Sequence, residues 1–332
     1  MSLTRKKLLI ATHHRLELWI APEWFADRLR KEFTEFEVVR IANDALVKEL
    51  PDTEIVFTFS LNPEQLGIAR KLRWIHSPAA AVHQFLFSEF VNGDVILTNA
   101  REVHGAVVAE QVTAMIFAMA KRIPQATRFQ QQRIWGQENI WELDGGPREI
   151  AGATLGLVGL GSIGRNVARH AAGLGMRVIA VRQHVDGPKP ESVHEVLPTS
   201  RINEMLSAAD YIVLAAPVTP ATQHMIGREQ LAKMKSDAFL INVGRGSLID
   251  EPALIETLRK RKIGGAALDV FDQEPLPAES PFWDLDNLLI MPHTAGMTAK
   301  LWERHYTLFS ENLRRYLSGQ PLLGLVDKKA GY

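Results

Sequence analysis

Three short stretches set an arginine, an acid and a histidine just after apolar runs: Asn242-Val-Gly244-Arg245-Gly246, Leu268-Asp269-Val-Phe-Asp272-Gln-Glu274-Pro275 and Met291-Pro292-His293-Thr294-Ala-Gly296. If those runs are parallel strands, all three stretches emerge at the carboxyl edge of one sheet, where doubly wound folds bind their ligands. An arginine fork can bridge a carboxylate and the neighbouring carbonyl oxygen. A histidine can donate a proton to that oxygen, and a carboxylate beside the imidazole favours its protonated form. Arg245, His293 and Glu274 together suit hydride reduction of a 2-oxo acid, with His293 acting as the base in the opposite direction. Taken singly, each has a plainer reading: Arg245 as a loop salt bridge or helix cap, Glu274 as an exposed acid before Pro275, His293 as a buried loop histidine.

The hydride carrier is suggested by Ala153-Thr-Leu-Gly-Leu-Val-Gly159-Leu-Gly161-Ser-Ile-Gly164-Arg-Asn-Val-Ala, which reads as strand, tight turn and helix with glycines at G-x-G-x-x-G spacing. Gly159 serves the turn, Gly161 the approach of a pyrophosphate, and Gly164 the packing of helix on strand, with phosphate expected at the helix N-terminus, where Ser162 and Ile163 stand. A second strand, Arg177-Val-Ile-Ala-Val181, closes the β-α-β unit. At its end, where an NAD site carries an acid, stands Arg182, followed by Gln183 and His184. A guanidinium matches a 2′-phosphate, so the sequence favours NADP(H), with NAD(H) open. The alternative is a solvated loop arginine.

With 332 residues, 46% hydrophobic and 23% charged, the chain has the composition of an ordinary globular protein, long enough for two domains. Thirty-eight Lys and Arg balance 38 Asp and Glu, so no global field draws nucleic acid or an anionic membrane. There is no cysteine, which removes disulfides, thiolate catalysis and Cys-based metal sites. No metal site is expected: His13-His14 are adjacent on an extended chain, point apart, and have no acidic ligand at suitable spacing. Met1 to Lys7 runs into Leu8 to Thr12, which reads as a first strand rather than a signal or membrane segment, and a cytoplasmic location is the expectation.

These groups need a frame, and apolar runs supply one. Strands are expected at Leu8 to Thr12, Glu37 to Ile41, Ile55 to Phe59, Trp74 to Ser77 and Val95 to Asn99, and again at Tyr211 to Ala216, Ala238 to Val243, Ala266 to Val270 and Leu288 to Met291. Helical patterns lie between them: Pro22 to Phe33, Asn43 to Leu50, Pro63 to Ala69 and Val82 to Phe90 in the first half, then Ala106 to Ala120, Ile202 to Ala208, Arg228 to Lys233, Glu251 to Lys260 and Ala299 to Leu317. The fold class is therefore α/β, two doubly wound parallel-sheet domains. Pro124 to Arg148, with Trp135 and Trp141 in a polar setting, reads either as a dimer-forming excursion or as a surface loop.

The chain resembles the D-isomer-specific 2-hydroxyacid dehydrogenase family over essentially its whole length. Gly156 to Gly164, Pro217-Val-Thr219-Pro220-Ala-Thr222, Asn242 to Gly246, Leu268 to Pro275 and Pro292-His293 occur in that family's order, and the spacing of Arg245 to Glu274 is similar. The resemblance implies catalytic roles for Arg245, Glu274 and His293, a nicotinamide contact for Asp269, and cofactor contacts from Pro217, Thr222 and Val243. It implies a Rossmann nucleotide domain at 102–297 inserted in a flavodoxin-like substrate domain, 1–101 plus 298–332, with the active site in the cleft. The family is commonly dimeric, and with the aromatic excursion this gives the expectation of a homodimer with Ala106 to Ala120 and Pro124 to Arg148 at its interface. It also implies that backbone N–H groups in Ser77-Pro78-Ala79-Ala80-Ala81-Val82-His83 bind the substrate carboxylate, here those of Ala80 and Ala81. Ala79 and Ala81 replace the usual glycines and His83 the usual aspartate, so the pocket is narrower than is usual. The expected substrates are small 2-oxo acids such as glyoxylate or hydroxypyruvate. Formate dehydrogenase, a relative without the Glu partner of the histidine, is disfavoured by Glu274. A nucleotide-sensing corepressor of the same fold is the reading outside enzymes.

Overall fold

The computed structural model describes residues 5–41, 45–143 and 146–331. In chain order the elements are β1 (Lys6–Ala11), α1 (Glu23–Glu32), β2 (Phe36–Arg40), α2 (Leu46–Glu49), β3 (Thr53–Thr58), α3 (Pro63–Ile68), β4 (Trp74–Ser77), α4 (Ser88–Val91), β5 (Ile96–Asn99) and α5 (Arg101–Ala120). Then follow α6 (Ile123–Gln131), α7 (Gln137–Glu142), β6 (Thr154–Val158), α8 (Ser162–Gly173), β7 (Arg177–Arg182), β8 (Glu195–Pro198), α9 (Ile202–Ala208) and β9 (Tyr211–Leu214). The chain ends with α10 (Arg228–Lys233), β10 (Phe239–Asn242), α11 (Glu251–Arg259), β11 (Gly265–Leu268), β12 (Leu288–Ile290) and α12 (Leu301–Leu317). The chain divides into two units, Met1–His104 with Thr298–Tyr332, and Gly105–Met297.

The first unit holds a five-stranded parallel sheet in the order β2-β1-β3-β4-β5, the flavodoxin-like order. Strand alternation sorts its apolar residues between two faces. Leu8, Ile10, Phe57 and Trp74 meet Phe25 and Leu29 of α1 and Phe309 and Leu313 of α12, whereas Leu9, Val56 and Ile75 meet Phe85, Phe90 and Leu97. Both faces are covered, so the strands read as unbroken apolar runs, and each fully buried Leu, Ile or Phe contributes about 1.5–3 kcal/mol.

The second unit holds seven parallel strands in the order β12-β11-β10-β9-β6-β7-β8, with the order reversing between β6 and β9. This is the Rossmann arrangement, and the reversal opens the crevice in which such sheets bind dinucleotides. Leu157, Val213 and Ile241 face α5 and α8; Val158, Ile212 and Leu240 face α9 and α11. Helix α5 is long and apolar enough to cross a membrane by composition, but 61% of its apolar window is buried within the protein, through Val108, Val112, Met115 and Met119 among others.

Four local expectations shift. Helix α5 begins at Arg101, five residues before the expected Ala106; a Cβ at Gly105 would lie 2.3 Å from the Ser162 hydroxyl, so glycine here serves close helix packing and not a helix boundary. The helix expected over Val82 to Phe90 is broken into a 3-10 turn, His83–Phe85, and the short α4, because Phe87 is extended (ψ 158°) while Phe85 and Phe90 both enter the core. The helix expected from Asn43 is seen as α2 and a 3-10 turn, Leu50–Asp52, with Asn43 and Asp44 outside the described residues, as are Met1 to Thr4. Strand β8, absent from the expected set, pairs with β7 at the sheet edge, where a terminal proline is tolerated.

Candidate active site

The glycine turn sits at the β6/β9 reversal. Gly159 has φ 95° and its N–H donates to the Val181 carbonyl at 2.9 Å; a Cβ there would lie 2.8 Å from the Ala215 carbonyl oxygen. A Cβ at Gly164 would lie 2.1 Å from the Gly159 carbonyl oxygen, so any side chain would push α8 off the turn. Gly161 is the residue before α8 and caps it with no side chain, and a Cβ there would meet nothing within 4 Å. Ser162 and Ile163 open this 12-residue helix at its positive end, and the Ile163 N–H meets no backbone acceptor among the described residues. That is what a pyrophosphate requires, and the turn fits a dinucleotide.

Arg182 closes β7, beside the same edge. Its Nη2 donates to the carbonyls of Val185 (3.1 Å) and Gly187, which fixes the guanidinium against its own loop, while its Nε is buried with no partner among the described residues. The Pro217–Thr222 turn after β9 is closed by the Thr222 hydroxyl, which donates to the Pro217 carbonyl (2.8 Å) and accepts from the Thr219 N–H (2.8 Å). Val243 is buried, its N–H donating to the Leu214 carbonyl at 3.2 Å.

Arg245, Glu274 and His293 lie on the turns that follow β10, β11 and β12. Asn242, fully buried, shapes the first turn: its Oδ1 accepts from the Gly244 N–H (3.0 Å) and its Nδ2 donates to the Arg245 carbonyl (2.8 Å). The Arg245 side chain donates to the Gly244 carbonyl (2.6 Å); burial pulls its pKa below the ordinary value, opposed by the charge of Glu274. Glu274 uses both oxygens, accepting from the Phe271 N–H at 3.0 Å and meeting His293 Nδ1 at 2.6 Å. Burial pushes the Glu274 carboxyl up, but those two bonds and the charges of His293 and Arg245 together bring it below its ordinary value. His293 is held in the left-handed region (φ 55°), a conformation costly for a residue with a side chain. Its ring is about half exposed, 49% for the side chain, so one nitrogen is held by carboxylate and the imidazole still reaches solvent.

Asp269 is 1% exposed and accepts from the N–H groups of Thr294 (2.9 Å) and Ala295 (3.1 and 3.2 Å). Its carboxylate is thus a brace for the turn that presents His293; burial is the main reason its pKa is raised, with those two amides opposing.

Ala80 and Ala81 belong to the first unit, after β4. The carbonyls of this stretch are engaged: Ala79 accepts from the Ala100 N–H (3.3 Å), Ala80 from Asn99 Nδ2 (2.6 Å) and Ala81 from Gln84 Nε2 (3.4 Å). The N–H groups of Ala80 and Ala81 meet no acceptor among the described residues, as an anion-binding pair would. His14 accepts from the Leu16 N–H (3.1 Å) and packs near Trp19 and Phe59. The excursion after α5 is pinched at its neck by Arg148 N–H on the Ala120 carbonyl (2.8 Å), Lys121 Nζ on the Arg148 carbonyl (2.7 Å) and Arg122 Nε on the Gly146 carbonyl (3.1 Å). Beyond the neck, Trp135 is 90% and Trp141 76% exposed.

Residues 113–295 match the family described as D-isomer specific 2-hydroxyacid dehydrogenase, NAD binding domain. The chain is 33% identical over 306 residues to a D-3-phosphoglycerate dehydrogenase of Methanocaldococcus jannaschii, covering 91% of this chain but only 57% of that relative's length. It is 32% identical over 293 residues to a glyoxylate reductase of Korarchaeum cryptofilum, covering 86% of this chain and 83% of the relative. A solved NADPH-dependent glyoxylate/hydroxypyruvate reductase of Sinorhizobium meliloti, in complex with NADP and sulfate, superposes with a TM-score of 0.82 at 25% identity, covering 99% of this chain and all of that one. Glycine turn, reversal of strand order and matched sequence agree, and the chain belongs to the D-isomer specific 2-hydroxyacid dehydrogenase family, whose members are NAD(P)-dependent oxidoreductases.

Proposed function

We propose that this protein reduces small 2-oxo acids, glyoxylate or hydroxypyruvate among them, with NADPH preferred over NADH. The observation that carries this reading is the His293–Glu274 pair at 2.6 Å, on the sheet edge that also bears Arg245 and the glycine turn. When bound, the reduced nicotinamide supplies the hydride. His293 donates the proton to the carbonyl oxygen, Glu274 holds the imidazole with its charge balanced, and Arg245 binds carboxylate and carbonyl oxygen through its fork. In oxidation His293 takes the proton back. The N–H groups of Ala80 and Ala81 bind the substrate carboxylate. The test is NADPH consumption with glyoxylate, hydroxypyruvate and pyruvate in turn. A reductase turns over at least one of them, whereas a nucleotide sensor of the same fold binds NADPH and consumes none.

The cofactor preference rests on Arg182. Charge-assisted bonds to a 2′-phosphate worth ~1.4 to 3 kcal/mol favour NADPH by roughly 10- to 150-fold in kcat/KM. Arg182→Asp is expected to invert or abolish the preference, with His184 adding to phosphate binding when protonated. Equal kcat/KM for the two cofactors, unchanged in the variant, would refute the assignment.

We also propose a cytoplasmic homodimer. Two tryptophans with most of their surface in water are costly to leave uncovered and are the residues that interfaces bury. Helix α5 keeps Ala114 exposed and Ala106, Phe117 and Ala118 half-buried, an apolar outer side beside that excursion. Light scattering at micromolar protein should give twice the chain mass, and Trp135→Glu with Trp141→Glu should give the monomer. A monomeric wild type would rule the dimer out.

A further inference from the structure

The turn that carries Glu274 is held from outside by an acid with no part in the roles above. Three contacts fix the chain between β11 and Glu274: the Asp269 carboxylate on the amides of Thr294 and Ala295, the Phe271 N–H on Glu274, and the Asp272 N–H on Glu251 Oε1 at 2.8 Å. Glu251 opens α11, and that helix end is rigid because Asp250 caps it, its Oδ1 accepting from the Ala253 N–H at 3.0 Å, a bond worth about 1 kcal/mol. Between Arg245 and Glu251 lies Gly246, where a Cβ would fall 2.0 Å from the Phe271 carbonyl carbon and 2.2 Å from the Asp272 nitrogen. The segment bearing Arg245 is therefore in backbone contact with the turn bearing Glu274, and Glu251 ties the two together.

The electrostatics of Glu251 set it apart from an ordinary acid at a helix start. Such an acid in water gains from the helix dipole. Glu251 is instead half-buried, and burial pushes its pKa up; the Asp272 N–H opposes this, the charges of Asp272 and Glu274 push it further up, and His224 opposes them. Asp272 is itself raised by burial and by Asp250, with His224 opposing. A desolvated carboxylate set beside like charges is an arrangement with a cost, of the kind that collects at functional sites.

We propose that Glu251 is a positioning residue for the His293–Glu274 pair, acting through the backbone of the Phe271–Glu274 turn; this rests on the reductase reading of that pair. Its acceptor oxygen holds the Asp272 N–H and so keeps Glu274 aimed at His293. Glu251→Ala removes that acceptor. Glu251→Gln keeps an oxygen for the Asp272 N–H. The Ala variant is expected to lose about 10-fold in kcat with KM for NADPH within about twofold, because misplacement of the pair acts on the chemical step. The Gln variant should recover most of that loss, because the acceptor for the Asp272 N–H is kept. A loss of fold stability alone would not fall on kcat while sparing KM. Wild-type kcat in the Ala variant, or a Gln variant no better than Ala, would overturn the proposal.

A readout without turnover separates this inference from the reading beneath it. The ring-proton resonances of His293, read by NMR at one fixed pH in the full chain without added cofactor, should move in Glu251→Ala and stay at their wild-type positions in Glu251→Gln. Unmoved resonances in Glu251→Ala overturn the role of Glu251 whatever the activity. Moved resonances in Glu251→Ala, where the wild type reduces none of the 2-oxo acids, support the positioning role and overturn the reductase reading instead.

Discussion

His293→Ala is expected to lower kcat by about 10²-fold or more and to leave the Kd for NADPH within about twofold. Proton donation acts only in the chemical step, and the groups that fit the cofactor, the glycine turn and the α8 N-terminus, follow a different strand, β6, from the one that leads to His293. The imidazole is also the residue most visibly set up for this task. It stands in a left-handed conformation, with carboxylate on one nitrogen and the Asp269 carboxylate bracing the two residues that follow. His293→Gln keeps polarity without a titrating proton and should be nearly as slow. Either variant running at the wild-type rate would remove His293 from the chemistry.

Arg245→Ala should damage KM and kcat together, because one guanidinium binds the carboxylate in the ground state and the carbonyl oxygen as charge develops on it. Two charge-assisted hydrogen bonds at about 1.5–3 kcal/mol each place the loss in kcat/KM at roughly 10²- to 10⁴-fold. The side chain is half-buried, held to the Gly244 carbonyl and beside the charge of Glu274, so it is preorganised for an anion. Arg245→Lys keeps the charge but not the fork and should recover only part of the loss. Steady-state kinetics on the preferred 2-oxo acid reads both constants, and a variant altered in neither would exclude Arg245 from substrate binding.

Much of the fold was legible because its strands are buried on both faces. Runs such as Leu8-Leu-Ile and Phe239-Leu-Ile have no other stable placement, and the glycine turn fixed where strand order reverses. Strand β8 was not legible: four residues at a sheet edge, ending in Pro198, carry too little apolar pattern. The first turn of α5 was not legible either: the apolar pattern starts at Ala106, and Gly105 sits inside the helix where the fold needs space beside Ser162. Within the site, the turns after β10, β11 and β12 were visible as polar residues following apolar strands, and Glu274 and His293 are in contact. Glu251 was invisible as a site residue, since its partner is a backbone N–H 21 residues away and its own position reads only as the first turn of a helix. The bonds from Arg182 to its loop carbonyls were likewise a matter of tertiary structure, not of residue type.

The most direct test is the reaction itself: hydroxypyruvate and NADPH mixed with the wild-type protein, the loss of NADPH followed, and the configuration of the product determined. One D-glycerate is expected for each NADPH consumed, the D configuration being what membership of the D-isomer specific family implies. Tight binding of NADPH with no consumption of it would contradict the assignment of Arg245, Glu274 and His293 to hydride-dependent reduction of a 2-oxo acid, and L-glycerate as the product would contradict the expected configuration.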